Sequence, residues 1–331
     1  MARILLTQAI HPAAQARLAE LGDVIVALDT GQDTLRRCAA DCDVVVVRAQ
    51  LPDDIFAAAP RLIGAVRHGA GVDMIPIASA TEHGVLVANL PGVNSNAVAE
   101  HVLRSMLQLA RQAAPMAAQL QARTAGWWRA RALADAGFEL GGRTLGIVGF
   151  GHVGQAIARV CAAGLSVRVL AHTRSALSLA AARHAERVPL PELLGASDFV
   201  VLACPLTPQT RGLIGAPQLA AMRRGAFLIN VARGPVVQEA ALIAALQSGR
   251  LGGAALDVFD TTPLPEDHPY WQMASVLVTP HVAGITEDSM LAMGHGAVVA
   301  ARHLLRGEVP PNCINPQAVP AFERRVLGNP R

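Results

Sequence analysis

Residues 144–154 read TLGIVGFGHVG, and this stretch decides the fold. Leu145, Ile147 and Val148 form an apolar run that flows into Gly149-x-Gly151-x-x-Gly154, and Gln155-Ala-Ile-Ala-Arg159 continues at helical spacing. Strand, glycine turn and helix in that order are what a bound pyrophosphate needs. Gly149 permits the tight turn, Gly151 lets the backbone approach the phosphates, and Gly154 lets the helix pack against the strand. The helix N-terminus adds unpaired N–H groups and a partial positive charge.

Short apolar runs alternate with amphipathic segments on both sides of this turn. Upstream, residues 4–6, 24–28, 44–47, 63–66 and 85–88 suit buried parallel strands, with helical spacing at 12–21 and 53–59. A turn at Leu90-Pro-Gly-Val93 precedes a long helix over 94–112, with Asn94 and Ser95 near its cap. Residues 113–142 read as less regular, and their Trp127 and Trp128 read as packed side chains, with an exposed or interface position as the alternative. Downstream, strands are expected at 167–171, 199–203, 227–230, 253–257 and 276–279 and a helix at 289–305, before a tail over 307–331 rich in proline and polar residues. The doubly wound pattern thus occurs twice, which makes the chain α/β with two domains. Ligand is expected where the strand C-termini of both units face a shared cleft.

Composition narrows the function classes. At 331 residues, 52% hydrophobic and 16% charged, the chain has apolar surface for two cores. A net charge of +3, with arginines scattered along the chain, gives no nucleic-acid footprint. All 28 Lys+Arg residues are arginine, which excludes lysine Schiff-base chemistry and a lysine phosphate loop. Five cysteines lack metal-ligand spacing, so no metal site is expected and the thiols suit a reducing compartment. The chain enters a strand at Arg3 without a leader pattern, and no apolar run reaches membrane-spanning length, so a cytoplasmic protein without membrane association is expected.

Two residues follow late strands. Asn230-Val-Ala-Arg233-Gly234 places a guanidinium after an apolar run, either as a bidentate carboxylate ligand or as a surface charge. Thr279-Pro-His281-Val-Ala-Gly284 places an imidazole in the equivalent position, suited to passing a proton near neutral pH.

The chain resembles the D-isomer-specific 2-hydroxyacid dehydrogenase family, which includes phosphoglycerate dehydrogenase and glyoxylate/hydroxypyruvate reductase. The matching stretches lie in order over about residues 60–285: His68-Gly-Ala-Gly71-Val-Asp73, Leu90-Pro-Gly-Val-Asn94, Val98-Ala-Glu100, Glu139-Leu-Gly-Gly-Arg143 running into the glycine loop, Cys204-Pro-Leu-Thr-Pro-Gln-Thr210, Asn230-Val-Ala-Arg233, Leu256-Asp-Val-Phe259 and Pro280-His-Val-Ala-Gly284. The resemblance implies a Rossmann cofactor domain over 99–285 and a flavodoxin-like, discontinuous substrate domain over 1–98 and 286–331. It also implies a homodimer held largely through the cofactor domains, with a 2-keto or 2-hydroxy acid as substrate. Arg233 would bind the substrate's carboxylate and carbonyl, His281 would be the acid and base, and amides at Ala70 and Gly71 would hold the carboxylate. The cofactor would meet Gly149, Phe150, Gly151, His152, Val153 and Gly154, then Cys204, Pro205 and Thr210, and finally Val231, Ala232, Asp257, His281 and Gly284.

Two departures qualify this resemblance. The family usually carries glutamate before the proline of Asp-Val-Phe-x-x-Glu-Pro, where it orients the histidine; here Thr262 precedes Pro263, and Asp260 is the nearest carboxylate. A threonine hydroxyl can accept the imidazole N–H but adds no negative charge. Loss of that acid favours a second reading, a dinucleotide-sensing interaction protein with little activity, since the family resemblance also includes a transcriptional corepressor. The other departure concerns the ribose. NAD-selective folds place an acid roughly 20 residues past the glycines, whereas this chain has Thr173-Arg174-Ser175. An arginine and two hydroxyls suit a 2′-phosphate, so NADP(H) is the expected cofactor, ahead of NAD(H).

Overall fold

Runs of aliphatic residues build two separate all-parallel sheets in the computed structural model, which describes residues 1–327. The chain divides into two compact units, one of residues 1–94 together with the chain from 285, the other of residues 95–284.

The first unit holds β1 Arg3–Leu6, β2 Asp23–Val26, β3 Val44–Val47, β4 Gly64–Arg67 and β5 Leu86–Ala88, in the order β2-β1-β3-β4-β5. This is the flavodoxin-like order. Alternate residues face opposite sides: Ile4, Leu6, Val44 and Val46 enter one core, Leu5, Val45 and Val47 the other. Burial on both faces explains why β3 is four consecutive valines. The run expected at 24–28 is shorter than its sequence suggested. It forms β2, an edge strand paired only with β1, and Leu28 beyond it is 97% exposed.

Helix Glu287–Leu305 packs on this sheet, and Gly64 makes room for it: a Cβ there would lie 2.3 Å from Leu304 Cδ1. Thr286 and Ser289 form a reciprocal capping box, with Glu287 and Asp288 in the first turn and Arg302 and His303 in the last, as the helix dipole favours. The tail is more ordered than its polar composition suggested. Cys313 bridges to Ala88, helix Val319–Leu327 follows, and Phe322 is fully buried. Buried Asn315 accepts from the Val87 amide and donates to the Val85 carbonyl, at 2.8 and 2.9 Å, so one amide side chain ties the segment to β5. The last part of the expected tail, 328–331, lies outside the described residues.

The second unit holds β6 Thr144–Val148, β7 Arg168–His172, β8 Glu186–Arg187, β9 Phe199–Leu202, β10 Phe227–Asn230, β11 Gly253–Leu256 and β12 Val276–Val278, ordered β12-β11-β10-β9-β6-β7-β8. Strand order reverses at β6, which pairs with β7 on one side and β9 on the other. In open parallel sheets the ligand crevice lies outside the strand C-termini at such a switch point.

Residues 113–142, expected to be irregular, contain helices Ala113–Leu120 and Thr124–Leu133. Trp127 and Trp128, expected to pack, are 57% and 76% exposed. The first of these helices buries none of its residues, so its alanine-rich sequence never shows the contrast between a core face and a solvent face that marks a helix. No helix among the described residues is long and apolar enough to cross a membrane.

Candidate active site

The three glycines of the loop after β6 meet three different constraints. Gly149 has φ +93°, and a Cβ on it would lie 2.5 Å from the Cys204 backbone nitrogen, so the loops after β6 and β9 touch there. A Cβ on Gly154 would strike the Gly149 carbonyl at 2.4 Å. Gly151, the N-cap of helix His152–Leu165, has nothing within 4 Å of that position. The protein leaves this side open, at a helix N-terminus, as a phosphate requires. Phe150 is buried behind the loop, while His152 is exposed and Val153 partly so. The residues therefore fit a dinucleotide.

Around the second loop, Cys204 is buried and Pro205 exposed, and burial pushes the Cys204 thiol above its ordinary pKa. The Thr210 hydroxyl donates to the Pro205 carbonyl at 2.7 Å and accepts from the Thr207 amide at 2.8 Å, so it braces this loop. After β7, Thr173 is half-buried and Arg174 and Ser175 are exposed. Sequence reading missed a neighbour here: Arg187 on β8 donates to the carbonyls of Thr173 and Arg174, at 3.1 and 3.2 Å. A two-residue edge strand has no periodicity to announce it.

Arg233 leaves the C-terminal end of β10. The Asn230 side chain shapes that turn, accepting from the Ala232 amide and donating to the Arg233 carbonyl, each at 3.0 Å, and Val231 beside Asn230 is half-buried. The Arg233 guanidinium donates to the Ala232 carbonyl at 2.7 Å. Gly234 lies so close to the next loop that a Cβ would come 2.1 Å from the Phe259 carbonyl carbon. The loops after β10 and β11 are thereby locked together.

Past β12, His281 is exposed and sits in left-handed backbone at φ +57°. Its amide donates to the carbonyls of Asp257 and Thr279, at 2.9 and 3.0 Å. The Asp257 carboxylate, 2% exposed, accepts from the Thr279 hydroxyl (2.6 Å) and from the Val282 and Ala283 amides (both 2.8 Å). These three bonds hold the loop that leads to Gly284, so Asp257, expected to meet the cofactor, has its carboxylate engaged by the protein itself. His101 lies 3.5 Å from the Thr279 hydroxyl. Burial lowers its pKa, with Asp257 pulling the other way.

Thr262 and Asp260 are the two candidates for the role of the missing glutamate. Thr262 is exposed, and neither Thr262 nor Asp260 makes a side-chain hydrogen bond among the described residues, so neither bonds the His281 imidazole. Asp260 instead lines a small pocket with Glu239 and Tyr270. Burial there, reinforced by the Glu239 charge, raises its pKa.

Ala70 and Gly71 belong to the other unit, after β4. Asn89 donates to the Ala70 carbonyl at 2.7 Å and Arg67 to the Gly71 carbonyl at 2.9 Å, while the two amides have no partner among the described residues. The arginine bracing this loop was not foreseen; its side chain also donates to the backbone carbonyls of Val47 and His68, both at 2.8 Å.

Residues 103–283 match the pattern described as D-isomer specific 2-hydroxyacid dehydrogenase, NAD binding domain. The chain is 36% identical over 324 residues to a D-3-phosphoglycerate dehydrogenase of Methanocaldococcus jannaschii, covering 97% of this chain but 60% of that relative. It is 38% identical over 288 residues to a glyoxylate reductase of Pyrococcus furiosus, covering 84% and 83% of the two chains. Among solved structures, an NADPH-dependent glyoxylate/hydroxypyruvate reductase from Sinorhizobium meliloti, in complex with NADP and malonate, superposes with a TM-score of 0.82 at 29% identity, covering 96% of this chain and 98% of that one. Sequence and backbone thus agree over both sheets, and the chain belongs to the D-isomer-specific 2-hydroxyacid dehydrogenase family.

Proposed function

We propose that this protein interconverts a small 2-keto acid and its D-2-hydroxy acid with a nicotinamide cofactor, preferring NADP(H) to NAD(H) and acting on substrates such as glyoxylate or hydroxypyruvate. The observation that carries this reading is that the glycine loop, Arg233 and His281 all leave the C-terminal edge of one parallel sheet, after β6, β10 and β12. When bound, the cofactor supplies or accepts the hydride. Arg233 binds the substrate carboxylate and carbonyl, and its fixed positive charge opposes the negative charge that grows on the carbonyl oxygen. His281 gives a proton to that oxygen in reduction and takes it back in oxidation. The unpartnered amides of Ala70 and Gly71 hold the carboxylate. Thr173, Arg174 and Ser175 offer a cation and hydroxyls where an acid would repel a 2′-phosphate. The exposed Trp127 and Trp128, beside a helix with no buried residue, support a homodimer in the cofactor domain.

A second reading, a dinucleotide-responsive interaction protein with little turnover, draws on Thr262 standing where the family usually carries glutamate. A panel of 2-keto acids, assayed by absorbance with NADPH and with NADH, separates the two. Turnover of glyoxylate or hydroxypyruvate, faster with NADPH, is the expected result. Tight cofactor binding without turnover of any keto acid would establish the sensing role.

A further inference from the structure

We infer that Arg187 is a specificity-determining residue for the adenosine end of the cofactor, reading a 2′-phosphate together with Arg174; this rests on the NADP(H) preference proposed above. The linear motif contains one arginine, but the sheet supplies another. Strand β8 pairs with β7 through Ala171 and Arg187, which sets Arg187 beside the loop that leaves β7. His172, Thr173, Arg187, Val188 and Pro189 line one surface pocket. This loop is where the fold type reads the ribose.

Arg187 is held in place while its charge stays unneutralised. Its Nε donates to the Thr173 carbonyl at 3.1 Å and Nη2 to the Arg174 carbonyl at 3.2 Å. A guanidinium has five N–H donors in a rigid fork, so donors remain after these bonds form. The acid beside it in sequence, Glu186, is engaged by Arg168 at 2.8 Å. Among the described residues, no carboxylate pairs with Arg187 or with Arg174. An isolated exposed arginine must lose rotamer freedom to grip an anion. Arg187 has already lost part of it, and through the same two bonds it fixes the backbone that carries Thr173, Arg174 and Ser175. The chemistry that fits is a phosphomonoester on a ribose, where Arg–phosphate bonds add charge and geometry at once.

Direct binding to the full chain tests this without turnover. Dissociation constants for NADPH and NADH are measured by fluorescence on the parent, Arg187→Ala and Arg187→Lys. Because the side chain is exposed, both variants should keep the parent's melting temperature. In Arg187→Ala the NADPH constant should rise about 10-fold or more while the NADH constant changes by less than about 3-fold. Arg187→Lys, which keeps the charge and loses the fork, should fall between. Equal weakening of both cofactors, or of neither, overturns the inference and leaves the NADP(H) preference standing. A parent protein that binds NADH as tightly as NADPH removes the preference itself, and the inference with it.

Discussion

At the scale of single residues, the roles of Arg233 and position 262 are separable by kinetics. Arg233→Ala should abolish most turnover while leaving cofactor affinity near the parent value, because the proposed cation acts on substrate. Losing a buried charged partner costs on the order of 2–5 kcal/mol, so kcat/KM should fall by roughly 30-fold or more. Near-normal kcat/KM would remove Arg233 from the site. Thr262 is exposed and makes no side-chain hydrogen bond among the described residues, so Thr262→Glu would place a carboxylate at the position where the family usually carries one. A neighbouring opposite charge favours imidazolium and moves its pKa up by about 1–3 units. Reduction needs the protonated ring, so the basic limb of the reductive pH profile should move to higher pH and kcat at pH 7–8 should rise. Oxidation near neutrality, which needs the neutral ring, should gain nothing. A reductive profile that the substitution leaves unmoved would show that position 262 does not face the histidine.

Among elements, the informative one is the loop from Thr279 to Gly284. It holds His281 in left-handed backbone through its amide bonds, and the buried Asp257 carboxylate binds the loop on either side. Asp257→Asn keeps the shape but replaces one acceptor oxygen by a donor NH2 group, which leaves at least one buried donor unmatched. Such a group costs about 1–3 kcal/mol. We expect kcat to fall about 10-fold or more with a melting temperature lower by a few degrees. If kcat is retained while the melting temperature drops, Asp257 supports the fold alone. The same scale explains what a linear reading misses. Periodicity shows a helix when one face is buried, and helix Ala113–Leu120 buries nothing. It overstates a strand when aliphatic residues run past the last paired position, as Leu28 does beyond β2.

For the whole molecule, folding stability should depend on acid through His68. The residue is 3% exposed, its Nε2 has no hydrogen-bond partner among the described residues, and burial, with Arg48 and Arg67 adding to it, pushes its pKa down to about 4. Between pH 6.5 and 4 the unfolded chain binds a proton that the native chain does not, so stability is lost as pH falls through that window, by about 3 kcal/mol in all. Urea denaturation at pH 7 and pH 4.5 measures it, and His68→Leu should flatten the difference; an equal loss in the variant would place the dependence elsewhere. What the sequence determined by itself was whatever is written in neighbouring residues: the two doubly wound sheets, since a strand buried on both faces must be apolar throughout, and the glycine loop, since φ, close packing and open space each demand a missing Cβ at its own position. Tertiary structure alone decided which distant groups meet. It engaged the Asp257 carboxylate with the histidine loop, brought Asp260 and Glu239 to one pocket, and set Arg187 against the Thr173 and Arg174 carbonyls. Those pairings depend on strand order and loop approach, and hydrogen bonds between residues far apart in the chain leave no period in the sequence from which to read them.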